Sequence, residues 1–381
     1  MPSLPIPSPE AAAHSQRLLQ TLRKTIAMHR GWISFARYME LVLYSPGLGY
    51  YAAGAGQFGA SGDFTTAPEH SHLFGRSLAQ QVAQVLAETG GDVLEVGAGS
   101  GKLACDILLE LQKLAILPEH YFILELSATL QAQQRKCLAA QAPQLIERVY
   151  WLDKLPSAFT GVVYGNEVLD AMPVHLVTRR NGTLCERGVA LNAEQLVWVD
   201  QPMVEGALQQ AAAALDLPEG YITEINLAAP AFITSLADCL TRGALLFIDY
   251  GFPHAEYYHP QRNQGTMMCH YRHHAHGDPF FWPGLQDITA HVNFSAIATS
   301  TADLQVLGYA TQANFLINCG ITDLLAETAP EDVINYLPRA NQVQYLLSPA
   351  EMGELFKVIA LGTHLELPLR GFTRGDQRHR L

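Results

Sequence analysis

The chain is short of positive charge. Only 24 Lys and Arg stand against 36 Asp and Glu, a formal net charge of −12 over 381 residues. A non-specific grip on nucleic-acid phosphates is therefore not expected. Cysteine pairs are also missing: Cys105, Cys137, Cys185, Cys239, Cys269 and Cys319 are scattered, with no CxxC spacing. A chain this long can bury a core without disulfides, so these read as reduced thiols of a cytosol-like compartment. No apolar run approaches the ~18 residues of a membrane-spanning helix. The opening "MPSLPIPSPEAAAHSQRLLQ" lacks the basic start and long apolar centre of a secretory signal, and is poor in arginine before Arg17. A bacterial-type cytoplasmic protein is expected, with the mitochondrial matrix as the alternative for a eukaryotic source. Repeats and low-complexity tracts are absent as well.

What is present is an alternation of helix and short apolar strand. Ser8-Pro9-Glu10 reads as a helix start, and Leu18, Leu19, Leu22 and Ile26 share one helical face. A second short helix is expected in 33–51, ending at Pro46-Gly47, followed by a Gly-rich loop over 54–71 that is longer than a connection needs. From residue 72 onward, helices at 73–88, 102–115 and 128–141 separate strands at 92–97, 121–126 and 148–152, with further strands at 161–166, 243–251 and 356–362. That order predicts an α/β fold with a parallel, Rossmann-like sheet and right-handed crossovers. The alternating runs "HLVTRR", "ERGVAL" and "QLVWVD" predict an inserted β-rich cap with one following helix. The expected divisions are an N-terminal cap at 1–72, a core at 73–174 and 241–365, an inserted cap at 175–240, and a tail at 366–381.

The stretch "VLEVGAGSGKL" (93–103) places Glu95, Gly97, Gly99 and Gly101 at a turn from strand to helix. Glycine there permits positive φ and lets a ligand approach the backbone. A dinucleotide fingerprint would need glycine at 102, and a P-loop would need Ser or Thr at 103; the chain has Lys102 and Leu103. The E-x-G-x-G-x-G spacing instead resembles motif I of class I S-adenosylmethionine-dependent methyltransferases. Glu125, at the end of the next strand, is placed to accept hydrogen bonds from both ribose hydroxyls. The competing reading is a plain strand–helix turn and a solvated acid.

After the fourth strand, "GNEVLDAMPVH" (165–175) brings Asn166, Glu167 and Asp170 to the sheet edge where open α/β folds bind ligands. Either Glu167 and Asp170 clamp a substrate, or Asn166 caps a helix and Asp170 is solvated. In "GDFTTAPEHS" (62–71), Asp63, Thr65 and Thr66 are the polar groups expected near the cofactor, unless the segment only caps a helix beginning at Pro68-Glu69. His270, His273 and His274 would share a face only on a helix, with His276 nearby in sequence, and Gly277-Asp278-Pro279 favours a loop, so no metal site is expected. Phe280, Phe281 and Trp282 read as packing residues. Asp287 is expected to cap a helix carrying His291, a further candidate for substrate contact or proton acceptance, and Asn293.

"GDFTTAPEHSHLFG", "VLEVGAGSGKL", "NEVLDAMPVH" and "DITAHVNFSAIA" together resemble the MidA-like methyltransferase family, over about residues 30 to 365. That family includes a mitochondrial complex I assembly factor that methylates arginine. The resemblance implies S-adenosyl-L-methionine as cofactor, bound by Glu95, Gly97, Gly99, Gly101, Glu125 and Asn166, and a protein substrate presenting arginine. Asn293 departs from the aspartate expected at its position, which leaves an acid role there without its carboxylate. The absence of an N-P-P-Y type motif speaks against nucleobase substrates. Two alternatives stay open: a methyltransferase for a small molecule or other polar nucleophile, and an assembly factor that keeps the fold without turnover.

Overall fold

The computed structural model describes residues 4–52 and 66–381, which form two compact units. One comprises Thr65–Leu169, Phe232–Pro253 and Val292–Leu381. Its sheet contains β1 (Asp92–Val96), β2 (Tyr121–Leu124), β3 (Val149–Leu152), β4 (Phe159–Asn166), β5 (Leu240–Phe252), β6 (Gln305–Thr311) and β7 (Phe356–Thr363). The order is β6-β7-β5-β4-β1-β2-β3. Strands β1 to β5 run parallel, and β7 is antiparallel to both β5 and β6. The central strands are continuously apolar because helices cover a parallel sheet. Val93, Tyr121, Val162, Leu246 and Val358 pack in one core with α1 (His72–Thr89) and α2 (Lys102–Lys113). Helix α3 (Ala128–Gln141) follows β2. These elements fall within a few residues of the sequence expectation, and the sheet order reverses between β1 and β4, the switch point of an open α/β sheet.

The other unit comprises Met1–Phe64, Asp170–Ala231 and His254–His291, so 254–291 groups with it and not with the sheet above. The helix Pro9–Met28 starts where the sequence indicates, with Ser8 Oγ accepting from Ala11 N at 3.3 Å. Strands His175–Arg180, Thr183–Asn192, Gln195–Pro202 and Ile222–Ile225 form an antiparallel sheet, which Trp32–Ser34 joins as a fifth strand. Two helices follow its long strands, Ala207–Ala213 and Ala228–Cys239, where one was expected.

The short helix expected within 33–51 is Phe35–Tyr44, which Ser34 caps from the end of the Trp32–Ser34 strand and which stops just before Pro46-Gly47. Two expectations are corrected. Asp287 caps no helix: Asp287–Thr289 is a strand paired with Met268–Tyr271, consistent with its β-branched Ile288 and Thr289. A helix begins only at Phe294, capped by Asn293, whose Oδ1 accepts from Ala296 N at 3.2 Å. The histidine-rich segment is a hairpin of Met268–Tyr271 with His274–His276, turning through Arg272 and His273 at φ +47° and +62°. That is the left-handed pair a two-residue hairpin loop requires.

Candidate functional site: the carboxyl edge of the parallel sheet

β1 ends at Val96 and the chain turns through Gly97, Gly99 and Gly101 at φ +66°, +52° and +86°. Gly101 is the N-cap of α2 and no side chain caps that end. A Cβ on Gly101 would lie 3.0 Å from Gln134 Cα, and one on Gly97 would lie 3.2 Å from Val168 Cγ2. The loop is thus wedged between α3 and the segment after β4. Gln134 Nε2 donates to Gly99 O at 3.0 Å and to Glu125 Oε2 at 3.1 Å, while its Oε1 accepts from Trp151 Nε1 at 2.9 Å. Sequence reasoning missed Gln134. Its signal was a polar residue on the buried stripe Leu130, Gln134, Leu138 of α3.

Glu125 follows β2 and is buried, with Oε1 accepting from Ser127 N at 2.9 Å. Burial pushes its pKa up, opposed by those hydrogen bonds. The Leu126 backbone also bonds this carboxylate, and of its roughly four acceptor sites these bonds leave room for a ribose hydroxyl. Glu95 has its partners in the sheet interior: it is 2% exposed, and Tyr121 Oη donates to its Oε2 at 2.7 Å. The Tyr121 and Tyr164 hydroxyls touch beside it. Burial raises the Glu95 carboxyl to about 7 against the lowering by both tyrosines, and the Glu125 charge adds to the rise.

A short helix, Ala67–His70, abuts the glycine loop: Ser100 Oγ donates to Glu69 Oε1, and Lys102 Nζ donates to Glu69 O at 3.0 Å. Thr66 is its N-cap residue without a capping side-chain bond. Asp63 and Thr65 lie outside the described residues. The His70 and Tyr345 rings are 4.2 Å apart, and burial with the charges of Glu351 and Glu167 raises the Tyr345 pKa.

On the β4 side, Asn166 Nδ2 donates to Glu167 Oε1 at 3.0 Å. Asn166 Oδ1 is buried and has no hydrogen-bond partner among the described residues. A buried amide oxygen left open at the switch point is an acceptor suited to a ligand N–H or O–H. Glu167 stands at φ +54°, in the left-handed region, with its N–H bonded to Ile248 O at 2.9 Å. No helix follows. Instead Asp249 Oδ2, fully buried at the end of β5, accepts from Val168 N at 3.2 Å and Leu169 N at 2.9 Å. The capping alternative for Asn166 therefore has no helix to cap. Asp249 does the corresponding work for the turn and was also missed, though an acid in "FIDYG" at a strand end was its visible mark.

Asp170 opens a segment of the other unit and is 4% exposed, not solvated. Its carbonyl accepts from Ala290 N at 3.0 Å. Tyr51 Oη donates to Asp287 Oδ1 at 2.9 Å, and burial followed by the charges of Asp287, Tyr44 and Asp170 raises the Tyr51 pKa. His291, next in the chain to Ala290, is partly buried, and its N–H donates to Thr266 Oγ1 at 3.0 Å. Phe280 packs against Trp198 and Tyr38, with ring centroids 4.7 and 5.5 Å away. Among the described residues no three His, Cys, Asp or Glu converge as a metal set.

The loop at 97–101, the acceptor capacity of Glu125 and the open Asn166 oxygen fit a nucleoside-bearing cofactor with a small charged tail. Comparison with known proteins gives its identity. The S-adenosyl-L-methionine-dependent methyltransferase family matches residues 73–310. A Burkholderia thailandensis protein crystallised with S-adenosyl-homocysteine is 53% identical, covers both chains fully and superposes with a TM-score of 0.97. A native crystal structure from the same organism gives 54% identity, full coverage of both chains and a TM-score of 0.93. The mitochondrial protein arginine methyltransferase NDUFAF7 of Bos taurus is 30% identical over 88% of this chain and 81% of its own. Its Drosophila melanogaster homologue is 29% identical over 97% and 92%. S-adenosyl-L-methionine is the cofactor, and the chain belongs to the S-adenosyl-L-methionine-dependent methyltransferase family.

Proposed function

We propose that the protein methylates a terminal guanidinium nitrogen of arginine in a protein substrate, with Glu167 as the guanidinium clamp. The observation that carries this reading is the mounting of Glu167. Its backbone is left-handed, its carboxylate is bonded by Asn166, and the turn after it is held by Asp249. The relatives named as protein arginine methyltransferases support the same substrate class.

When bound, the cofactor supplies an electrophilic methyl group on a sulfonium, with Gly97, Gly99, Gly101, Glu125 and Asn166 holding it. The task left to the chain is to make a guanidinium, cationic at all physiological pH, into a nucleophile. Glu167 takes two guanidinium N–H donors in a bidentate pair, which fixes the plane of the group and localises its charge away from the reacting nitrogen. It then accepts, on a carboxylate oxygen, the proton that nitrogen sheds. Asn166 orients this acid by its bond to Oε1.

The test is transfer of labelled methyl groups to protein, followed by acid hydrolysis and amino-acid analysis. Wild type should yield ω-N-methylarginine. Glu167→Gln should lose about a hundredfold in turnover, as expected for a lost proton acceptor, while S-adenosylhomocysteine affinity stays unchanged. Label recovered on another residue type, or only on small molecules, overturns the substrate assignment. The same assay on Asp170→Asn and His291→Gln decides whether those side chains act on the substrate.

A further inference from the structure

Behind the cofactor loop the sheet unit holds two thiols that the chemistry above does not use. Cys105 lies on the first turn of α2 and Cys137 on α3, and their Sγ atoms are 3.7 Å apart. Cys105 is buried and Cys137 half-buried, so an oxidant can reach one member of the pair. We propose that Cys105 and Cys137 are a redox modification site, closing to a disulfide with a hydroperoxide and thereby weakening cofactor binding.

The coupling rests on what flanks each sulfur. Cys105 N donates to Gly101 O at 3.1 Å, which puts this thiol one turn from the last loop glycine. Cys137 lies one turn beyond Gln134 on α3, and Gln134 holds Gly99 O and Glu125 Oε2. A disulfide bond is about 2.0 Å long, so the sulfurs must approach by about 1.7 Å. Closure draws the first turn of α2 toward α3. At that seam a single added Cβ on Gly101 would already meet Gln134 Cα at 3.0 Å. Close-packed interiors have no slack to absorb such a movement. The strain passes to Gly99 and Glu125 through Gln134.

The pair is chemically unequal. The hydrogen bond between the thiols lowers the Cys137 pKa and, with burial, raises that of Cys105. Gln141 Nε2 also donates to Cys137 Sγ at 3.4 Å. Cys137 is therefore the attacking thiolate. Its sulfur bonds to the outer oxygen of the hydroperoxide, the O–O bond breaks, and the departing alkoxide takes a proton to leave as an alcohol, or as water from hydrogen peroxide. Cys105 sulfur then attacks the sulfenic acid, giving its proton to the departing hydroxide, and water leaves as the S–S bond forms. The peroxide gains two electrons, one from each sulfur.

The experiment treats the full chain with hydrogen peroxide or dithiothreitol and measures S-adenosylhomocysteine binding by calorimetry and cross-linked peptides by mass spectrometry. No methyl acceptor is involved, so failure here is separable from failure of the arginine assignment. The expected result is a Cys105–Cys137 peptide, an affinity about tenfold weaker, and recovery with dithiothreitol. Cys137→Ser should bind as reduced wild type does and ignore peroxide. Oxidation of wild type without that linked peptide, or a linked protein with the reduced protein's affinity, overturns the proposal, and both wild-type readouts stand even if the variant folds poorly.

Discussion

Gly101 shows how one hydrogen in place of a side chain sets the cofactor loop. Alanine there has to hold a φ of +86° and push a Cβ to 3.0 Å from Gln134 Cα. Left-handed backbone alone costs a non-glycine residue about 1–2 kcal/mol, and the displaced Gln134 would release both Gly99 and Glu125. Gly101→Ala should therefore lower thermal stability modestly and S-adenosylhomocysteine affinity strongly, in one calorimetric series; unchanged affinity would contradict the wedge. Glu95 is the residue through which pH acts on stability. Its folded carboxyl titrates at about 7 against 4.5 in the unfolded chain, so between those values the native state keeps a proton that the unfolded state has released. The stability from that proton is complete below the unfolded value and drains away as pH rises to about 7. Glu95→Gln removes the exchange, so its stability relative to wild type should climb by about 2–3 kcal/mol across that interval. Urea melts at both ends of the interval measure this, and a flat difference would show that the carboxyl is not held protonated.

At the scale of elements, the end of β5 governs the end of β4. Removing Asp249 strands the buried amide of Leu169 at about 1–3 kcal/mol, and the part-buried amide of Val168 at less. Asp249→Ala should lower the denaturation midpoint and cut methyl transfer more than it cuts cofactor affinity, since the turn carrying Glu167 loosens while the glycine loop stays. Equal losses in both would place Asp249 in the general core only. The acid was visible at a strand end but its partners were not, because the hydrogen bond joins positions 80 apart that only the β4–β5 pairing brings side by side. What could be read was local: apolar runs for the parallel strands, glycines where the turn needs positive φ, and Glu125 at a strand end. Asp287–Thr289 marks the limit. Its three residues suit a helix cap as well as a strand, and pairing with Met268–Cys269-His270 decided the matter. Gln134 was hidden for the opposite reason, since a lone glutamine on a helix face ordinarily signals only a solvated position.

For the whole molecule, the −12 net charge matches a cationic acceptor better than a polyanion. Chain order adds a second constraint. Each unit is assembled from three separate stretches, so neither exists as a continuous piece of sequence. The last stretch contributes β7, which lies inside the sheet order between β6 and β5 and pairs with Gly243–Tyr250 along its length. A chain ending at Leu355 would leave that β5 edge bare, and unpaired apolar edges seed aggregation. Such a truncation should be recovered in the pellet, whereas removal of Asp376–Leu381 should leave soluble protein; a soluble, cofactor-binding 1–355 fragment would refute this. During synthesis the same geometry means that the cofactor sheet cannot close until Phe356–Thr363 has emerged. Until then the nascent chain carries a completed glycine loop on an uncompleted sheet, with the β5 edge still open to other partners.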